Sequence, residues 1–148
     1  MPGQIPLDTR YYPSDFNIHG QTIVIPATGA VAMPLLYADR AMIVDSVTMY
    51  VFGGVAIATN AVSLKIKQLP ASTVPTFSTT TQDIGSFTTL AAGTTTADTQ
   101  TLSFSKTNNN VNNNQVPAGS WVWFQTNAAG SITNTPTVVV QIRYRSQS

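Results

Sequence analysis

Thr137-Val138-Val139-Val140-Gln141-Ile142-Arg143-Tyr144-Arg145 is the stretch that decides the fold class. Side chains two apart fall on one side of an extended strand, so Val138, Val140, Ile142 and Tyr144 oppose Val139, Gln141, Arg143 and Arg145. A helical period of 3.6 would scatter the same apolar residues around the whole circumference. Upstream, Trp121 and Trp123 share one face of a strand over residues 121–126, and Val122 and Phe124 share the other, so both faces need cover. Residues 99–105 alternate as well, with Leu102 and Phe104 opposed to Thr101, Ser103 and Ser105. In residues 62–67, Val62, Leu64 and Ile66 oppose Ser63, Lys65 and Lys67, which predicts one buried and one wet face. Over residues 41–52 the pattern places Ile43, Val47, Met49 and Val51 together and interrupts the opposite side with Ser46 and Thr48.

Turn residues separate these runs. A β-branched run at 21–25 closes at Pro26 and Thr28-Gly29, and residues 30–37 allow a second short strand. Gly53-Gly54 suggests a bulge and residues 58–61 a turn. Pro70 and Pro75 end the lysine-bearing strand, and the Thr-rich segments 77–81 and 83–90 fit either edge strands or a long structured loop. Residues 91–96 form a small-residue connection, and 108–114, six Asn around Val111, read as a loop. Residues 116–120 make a tight turn, and 127–136 are polar and turn-rich. Seven to nine short strands without an amphipathic helix describe an all-β sandwich or barrel. At the N-terminus Pro2, Pro6 and Pro13 forbid a regular helix, which predicts an extended arm over 1–16 before a single domain over 17–148. Ile5, Leu7, Tyr11, Tyr12 and Phe16 are too many apolar groups for a solvated tail, so the arm packs on its own domain or on a neighbouring subunit.

Composition narrows the chemistry. Charged residues make up 9 % of the 148, far below the roughly 25 % of an average soluble domain, so the surface must be Thr, Ser, Asn and Gln. Such a surface repels its own copies weakly and suits contact with neighbours. A net charge of +1 offers no field for a phosphate backbone, which argues against a nucleic-acid partner. No stretch reads as a signal peptide or a membrane span, since Pro26 and Pro34 interrupt the apolar region from 23 to 36; no membrane partner is expected. With no Cys there is neither a disulfide framework nor thiolate chemistry. His19 is the only imidazole, no Gly-x-Ser-x-Gly spacing occurs, and a surface or turn-end position in Asn17-Ile18-His19-Gly20 accounts for it better than a catalytic triad does. The six Asp are scattered and never form a calcium-loop alternation, so no metal, no cofactor and no enzyme activity are expected. Paired Asp carboxylates brought together by the fold are the one hydrolytic arrangement the sequence leaves open. Asp45 lies inside a predicted strand and requires a partner, for which Arg40, Arg143 or a cation across a subunit interface are the candidates.

Three groups remain as candidate contact residues. Trp121 and Trp123 make a flat aromatic surface of the kind sugar rings stack on, and equally one that cores and subunit interfaces use. Arg143 and Arg145 share a face, either as a solvated exterior or as a charged seam against an acidic neighbour. Tyr11 and Tyr12 are the arm's aromatic anchors.

The run Val116-Pro-Ala-Gly-Ser-Trp-Val-Trp-Phe-Gln-Thr-Asn127, with Thr135-Pro-Thr-Val-Val-Val-Gln-Ile-Arg-Tyr-Arg145, resembles the turn and closing strands of small jelly-roll structural proteins of tailed bacteriophages. Ile43-Val-Asp-Ser-Val-Thr-Met-Tyr-Val-Phe52 leading to Val62-Ser-Leu-Lys-Ile-Lys67 is similar in style to the same proteins. The resemblance implies a jelly-roll-like antiparallel β-sandwich that decorates or cements a capsid. It implies further a homotrimer on the outer surface of the virion, clamping major capsid proteins with the help of its N-terminal arm. Tail-fibre and baseplate domains that bind carbohydrate or a receptor share the same β grammar and are the alternative.

Overall fold

The closing strand lies inside a sheet and not at its edge, paired on both sides. A computed structural model describes residues 16–26, 30–52, 62–79, 81–87, 98–104, 114–127 and 137–146. Among these, nine strands follow one another: β1 (Asn17–Val24), β2 (Ala32–Ala38), β3 (Met42–Phe52), β4 (Leu64–Pro70), β5 (Asp83–Ser86), β6 (Asp98–Ser103), β7 (Gln115–Val116), β8 (Ser120–Thr126) and β9 (Thr137–Ser146). They form two antiparallel sheets, ordered β1-β9-β3-β6 and β2-β8-β4-β5, with the two-residue β7 added beside β3. The pairings are nested. β1 pairs with β9, β2 with β8, β3 with β6 and β4 with β5, so the chain is one long antiparallel hairpin rolled up on itself. That nesting is the strand order of a jelly roll, and the fold is an all-β jelly-roll sandwich.

One core lies between the sheets. Val44, Val47, Met49 and Val51 of β3 and Val138, Val140 and Ile142 of β9 meet Leu64 and Ile66 of β4 and Val122 and Phe124 of β8, all buried in a single cluster. Without disulfides this apolar contact carries the stability, each large side chain contributing about 1.5–3 kcal/mol when fully buried. β5 packs tightly against β6 and the residue that follows it: a Cβ at Gly85 would stand 3.0 Å from Leu102 Cδ1 and 3.1 Å from Phe104 Cε1. Gly119, at φ 81°, closes the turn before β8; its N–H donates to Ala38 O at 2.7 Å and its carbonyl accepts from Ala71 N at 3.1 Å.

Several local expectations are corrected. In β3 the alternation breaks at Asp45, because the pairing with β9 steps from Val44↔Tyr144 to Ser46↔Arg143. Asp45 is thus the extra residue of a β-bulge. Upstream of it Met42 and Val44 point inward, and Ile43 does not join Val47, Met49 and Val51 in the core. β1 begins at Asn17, so His19 and Gly20 lie in a strand instead of a turn. Lys67 is not on a wet face: it is fully buried, because residues 75–79 fold back over that side of β4. Of the Thr-rich middle, Asp83–Ser86 is an edge strand and 77–79 is not. The expected features at Gly53-Gly54, 58–61, 91–96, 108–113 and 128–136, like the arm over residues 1–15, lie outside the described residues.

Candidate binding surfaces

Two broad outer faces remain once the core is closed. On the β2-β8-β4-β5 sheet, strand register sets Tyr37, Trp121 and Leu69 in one row across β2, β8 and β4. The rings of Tyr37 and Trp121 pack with centroids 5.1 Å apart and planes inclined by 52°. Tyr37 is 46 % exposed and Trp121 half-buried, so this end of the face presents a two-ring apolar patch to the outside. Tilted aromatic pairs of this kind add about 0.5–1.5 kcal/mol beyond their buried area.

The next row, Pro34, Trp123, Lys67 and Asp83, is largely closed. Asp83 Oδ1 lies 2.6 Å from Lys67 Nζ and its Oδ2 lies 2.9 Å from Lys65 Nζ. Lys67 Nζ also donates to the carbonyl of Thr79, Lys65 Nζ donates to Phe77 O at 3.1 Å, and Gln125 Nε2 donates to Pro75 O at 3.2 Å. The Lys65 ammonium sits 4.6 Å from the centroid of the Phe77 ring. Three charges and a strap of backbone carbonyls therefore satisfy one another beneath residues 75–79. Beside them the Trp123 indole is half-buried, and its buried Nε1 has no hydrogen-bond partner among the described residues.

The outer face of β1-β9-β3-β6 is flatter and almost uncharged. Across β1, β9, β3 and β6 its rows run Gly20, Gln141, Thr48, Thr101 and then Thr22, Val139, Tyr50, Thr99. The hydroxyls of Thr48 and Thr101 are 3.1 Å apart, a cross-strand hydrogen bond of the sort that stabilises a pair by a few tenths of a kcal/mol to about 1 kcal/mol. Ile18, Val24 and Tyr50 are 63 %, 59 % and 42 % exposed. Charge gathers at one end only, where Arg145 Nη2 donates to Asp45 Oδ1 at 3.3 Å. Asp45 thus finds its partner in Arg145, two residues beyond Arg143 on the same strand, and not in Arg40 or Arg143. Arg143 instead stacks on the ring of Phe16, with its guanidinium carbon 3.7 Å from the centroid, and Arg145 approaches the same ring at 5.5 Å.

The candidate residues separate into two places. Trp121 and Trp123 share the outer side of β8, whereas Val122 and Phe124 fill the core. Arg143 and Arg145 lie on the outer side of the other sheet, so the aromatic pair and the arginine pair look in opposite directions and form no common site. Tyr11 and Tyr12 lie outside the described residues. His19 is half-buried on the inward side of β1, opposite Ile142, with Nε2 buried and unpartnered among the described residues. Sequence reasoning missed Tyr37, Ile18, Val24 and Tyr50. For Ile18 and Val24 the signal was there: with Ile23 inward, every even position of β1 points out.

Comparison with known proteins adds the following. No family model and no curated protein matches the sequence. Among solved structures, the chain is similar to the K1 cleaved adhesin domain of Lys-gingipain from Porphyromonas gingivalis W83, at 11 % identity and a TM-score of 0.39, covering 92 % of this chain and 93 % of that one. It is also similar to chains of infectious bursal disease virus. For the Gx strain the identity is 10 % over 87 % of this chain, with a TM-score of 0.35; for the Gt strain it is 10 % over 90 %, with a TM-score of 0.34. This chain spans 35 % and 38 % of those two viral chains.

Proposed function

We propose that this protein is a virion structural component that decorates and cements the capsid of a tailed phage from outside, working as an assembly of copies. The observation that carries the reading is how charge is disposed. Lys65 and Lys67 share the counter-ion Asp83 and the carbonyls of the strap, Arg145 pairs with Asp45, and Arg143 lies on the Phe16 ring, so charge on the described outer faces is sparse beside Thr, Gln and exposed apolar groups. Faces of this kind carry little desolvation cost on contact, and many copies on one shell multiply a modest affinity. The jelly-roll order, common among capsid and lectin domains, supports the reading at the level of fold. In this reading Tyr37, Trp121 and Trp123 seat on the major capsid protein, residues 1–16 with Tyr11 and Tyr12 reach along the shell, and Arg143 and Arg145 form a polar seam. The copies gather as a homotrimer. The work is mechanical, with no catalytic step and no cofactor.

The test is co-sedimentation of the purified chain with capsids lacking it, followed by calorimetry of the shell. Saturable binding that raises the temperature of capsid rupture, weakened about tenfold or more by Trp121→Ala, is expected for a buried aromatic anchor. Absence of binding to any capsid would overturn the reading, and unchanged binding after removal of residues 1–16 would overturn the role of the arm. The exposed Tyr37–Trp121 patch favours a second reading, a carbohydrate- or receptor-binding domain of a tail fibre or baseplate. A glycan array separates the two: a signal lost in Trp121→Ala supports the second reading, and an array without signal removes it.

A further inference from the structure

The edges of the two sheets are not equally protected. An open edge strand offers a row of unpaired N–H and C=O groups, and proteins blunt it with charge, proline, bulges or brevity. Three of the four outermost strands carry such a device. β2 has Pro34 and a register shift between Pro34 and Leu36. β5 is four residues long, bulges against β4 and carries Asp83. β6 is shorter than β1, at six residues. β1 has none of these: its eight residues, Asn17–Val24, contain no charge and no proline, run in unbroken register with β9, and among the described strands pair with β9 alone.

A second observation points to the same strand. Gly20 sits in the middle of β1, where glycine lowers strand stability, yet nothing lies within 4 Å of the position its Cβ would take, and its φ is not in the left-handed region. No contact among the described residues explains it. Glycine inside a strand is a common mark of close approach by another backbone.

We propose that β1 is a pairing edge for a second copy of this chain, joined antiparallel about a two-fold axis through Gln21. The occupant follows from self-complementarity. Side chains directly opposite in an antiparallel pair lie on the same side of the sheet, so the register must match outward residues with outward ones. Centred on Gln21, Ile18 faces Val24 of the other copy and Gly20 faces Thr22, each pairing made twice by symmetry. The two most exposed apolar residues of the strand thereby cover one another, and no like charges meet. The result is one continuous sheet, β6-β3-β9-β1-β1-β9-β3-β6, across two molecules. The contact is two-fold, so it goes beyond the trimer of the shell reading and would link copies in pairs whether or not they also gather in threes.

The full chain tests this without any capsid, so failure here is distinguishable from failure of the shell reading. Because the protein has no cysteine, Gln21→Cys introduces a single thiol at the predicted axis. Cβ atoms opposite one another in such a pair are about 4.5–5.5 Å apart, so mild oxidation or a short bis-maleimide should yield a covalent dimer, and Gln141→Cys in the interior strand β9 should not. Native mass spectrometry should show even-numbered species for the wild type. Ile18→Lys and Val24→Glu, both at exposed positions, should each weaken pairing about tenfold while leaving the circular dichroism and melting temperature of the fold unchanged. Mixed together the two variants should pair again, since the introduced ammonium of one then faces the introduced carboxylate of the other and the second contact is the native one. A wild type that stays monomeric at about 100 µM, or a dimer that neither crosslinks at position 21 nor responds to the mixed pair, would overturn the proposal.

Discussion

Lys67 shows how a single residue departs from its pattern. Alternation puts it with Lys65 on the outer side of β4, which is where it lies, but the outer side is covered. Its fully buried ammonium is held by Asp83 and the Thr79 carbonyl. Removing Asp83 leaves two lysines together without their counter-ion, one of them entirely out of water. Asp83→Ala should therefore cost about 3–5 kcal/mol in urea unfolding, whereas Asp45→Ala, whose partner Arg145 is part-exposed, should cost about 1 kcal/mol or less. Gly20 works in the opposite direction. With no described residue within 4 Å of its Cβ position and an ordinary φ, Gly20→Thr should stabilise the isolated chain by about 0.5–1 kcal/mol, read as a rise in melting temperature.

At the scale of elements, the strands were legible where one side is clearly apolar. β8 and β9 declare themselves because Val122 and Phe124, and Val138, Val140 and Ile142, repeat every second residue. β3 was legible only from Val47 onward, since the bulge at Asp45 inserts one residue and exchanges the two faces, an event that no alternation count registers in advance. The start of β1 escaped because Asn17, His19 and Gly20 read as turn residues; unbroken pairing with β9 from Thr137 to Tyr144 outweighs their weak strand preference. The strap over 75–79 was illegible because its hold on the sheet comes from carbonyl oxygens, which every residue has. Of the candidate surface, the shared outer side of Trp121 and Trp123 was readable, whereas Tyr37, brought beside Trp121 from 84 positions earlier, was a matter of topology. The turn before β8 depends on one backbone conformation, and Gly119→Ala at φ 81° should cost about 1–2 kcal/mol and loosen the ends of β2 and β4 that it ties, detectable by hydrogen exchange at Ala71.

For the molecule as a whole, nested pairing joins residues far apart in sequence, from Asn17 with Tyr144 inward to Lys67 with Asp83. Such a fold closes slowly and then depends on its single core, so Phe124→Ala, which opens a cavity between the sheets, should cost about 3–5 kcal/mol and lower the melting temperature without changing the oligomeric state. The same wrapping sends the aromatic patch and the β1-β9-β3-β6 face outward on opposite sides, so the molecule can touch a support with one face and its own kind with the other sheet. In the proposed role this low-charge surface is what packs against the shell. Cryo-electron microscopy of the intact virus particle, with a bound antibody fragment marking this chain, tests that assignment most directly. Labelled density in regular positions on the outer shell, with the Trp121 face toward the major capsid protein, is expected. Label confined to the tail, or to no particle at all, would contradict it.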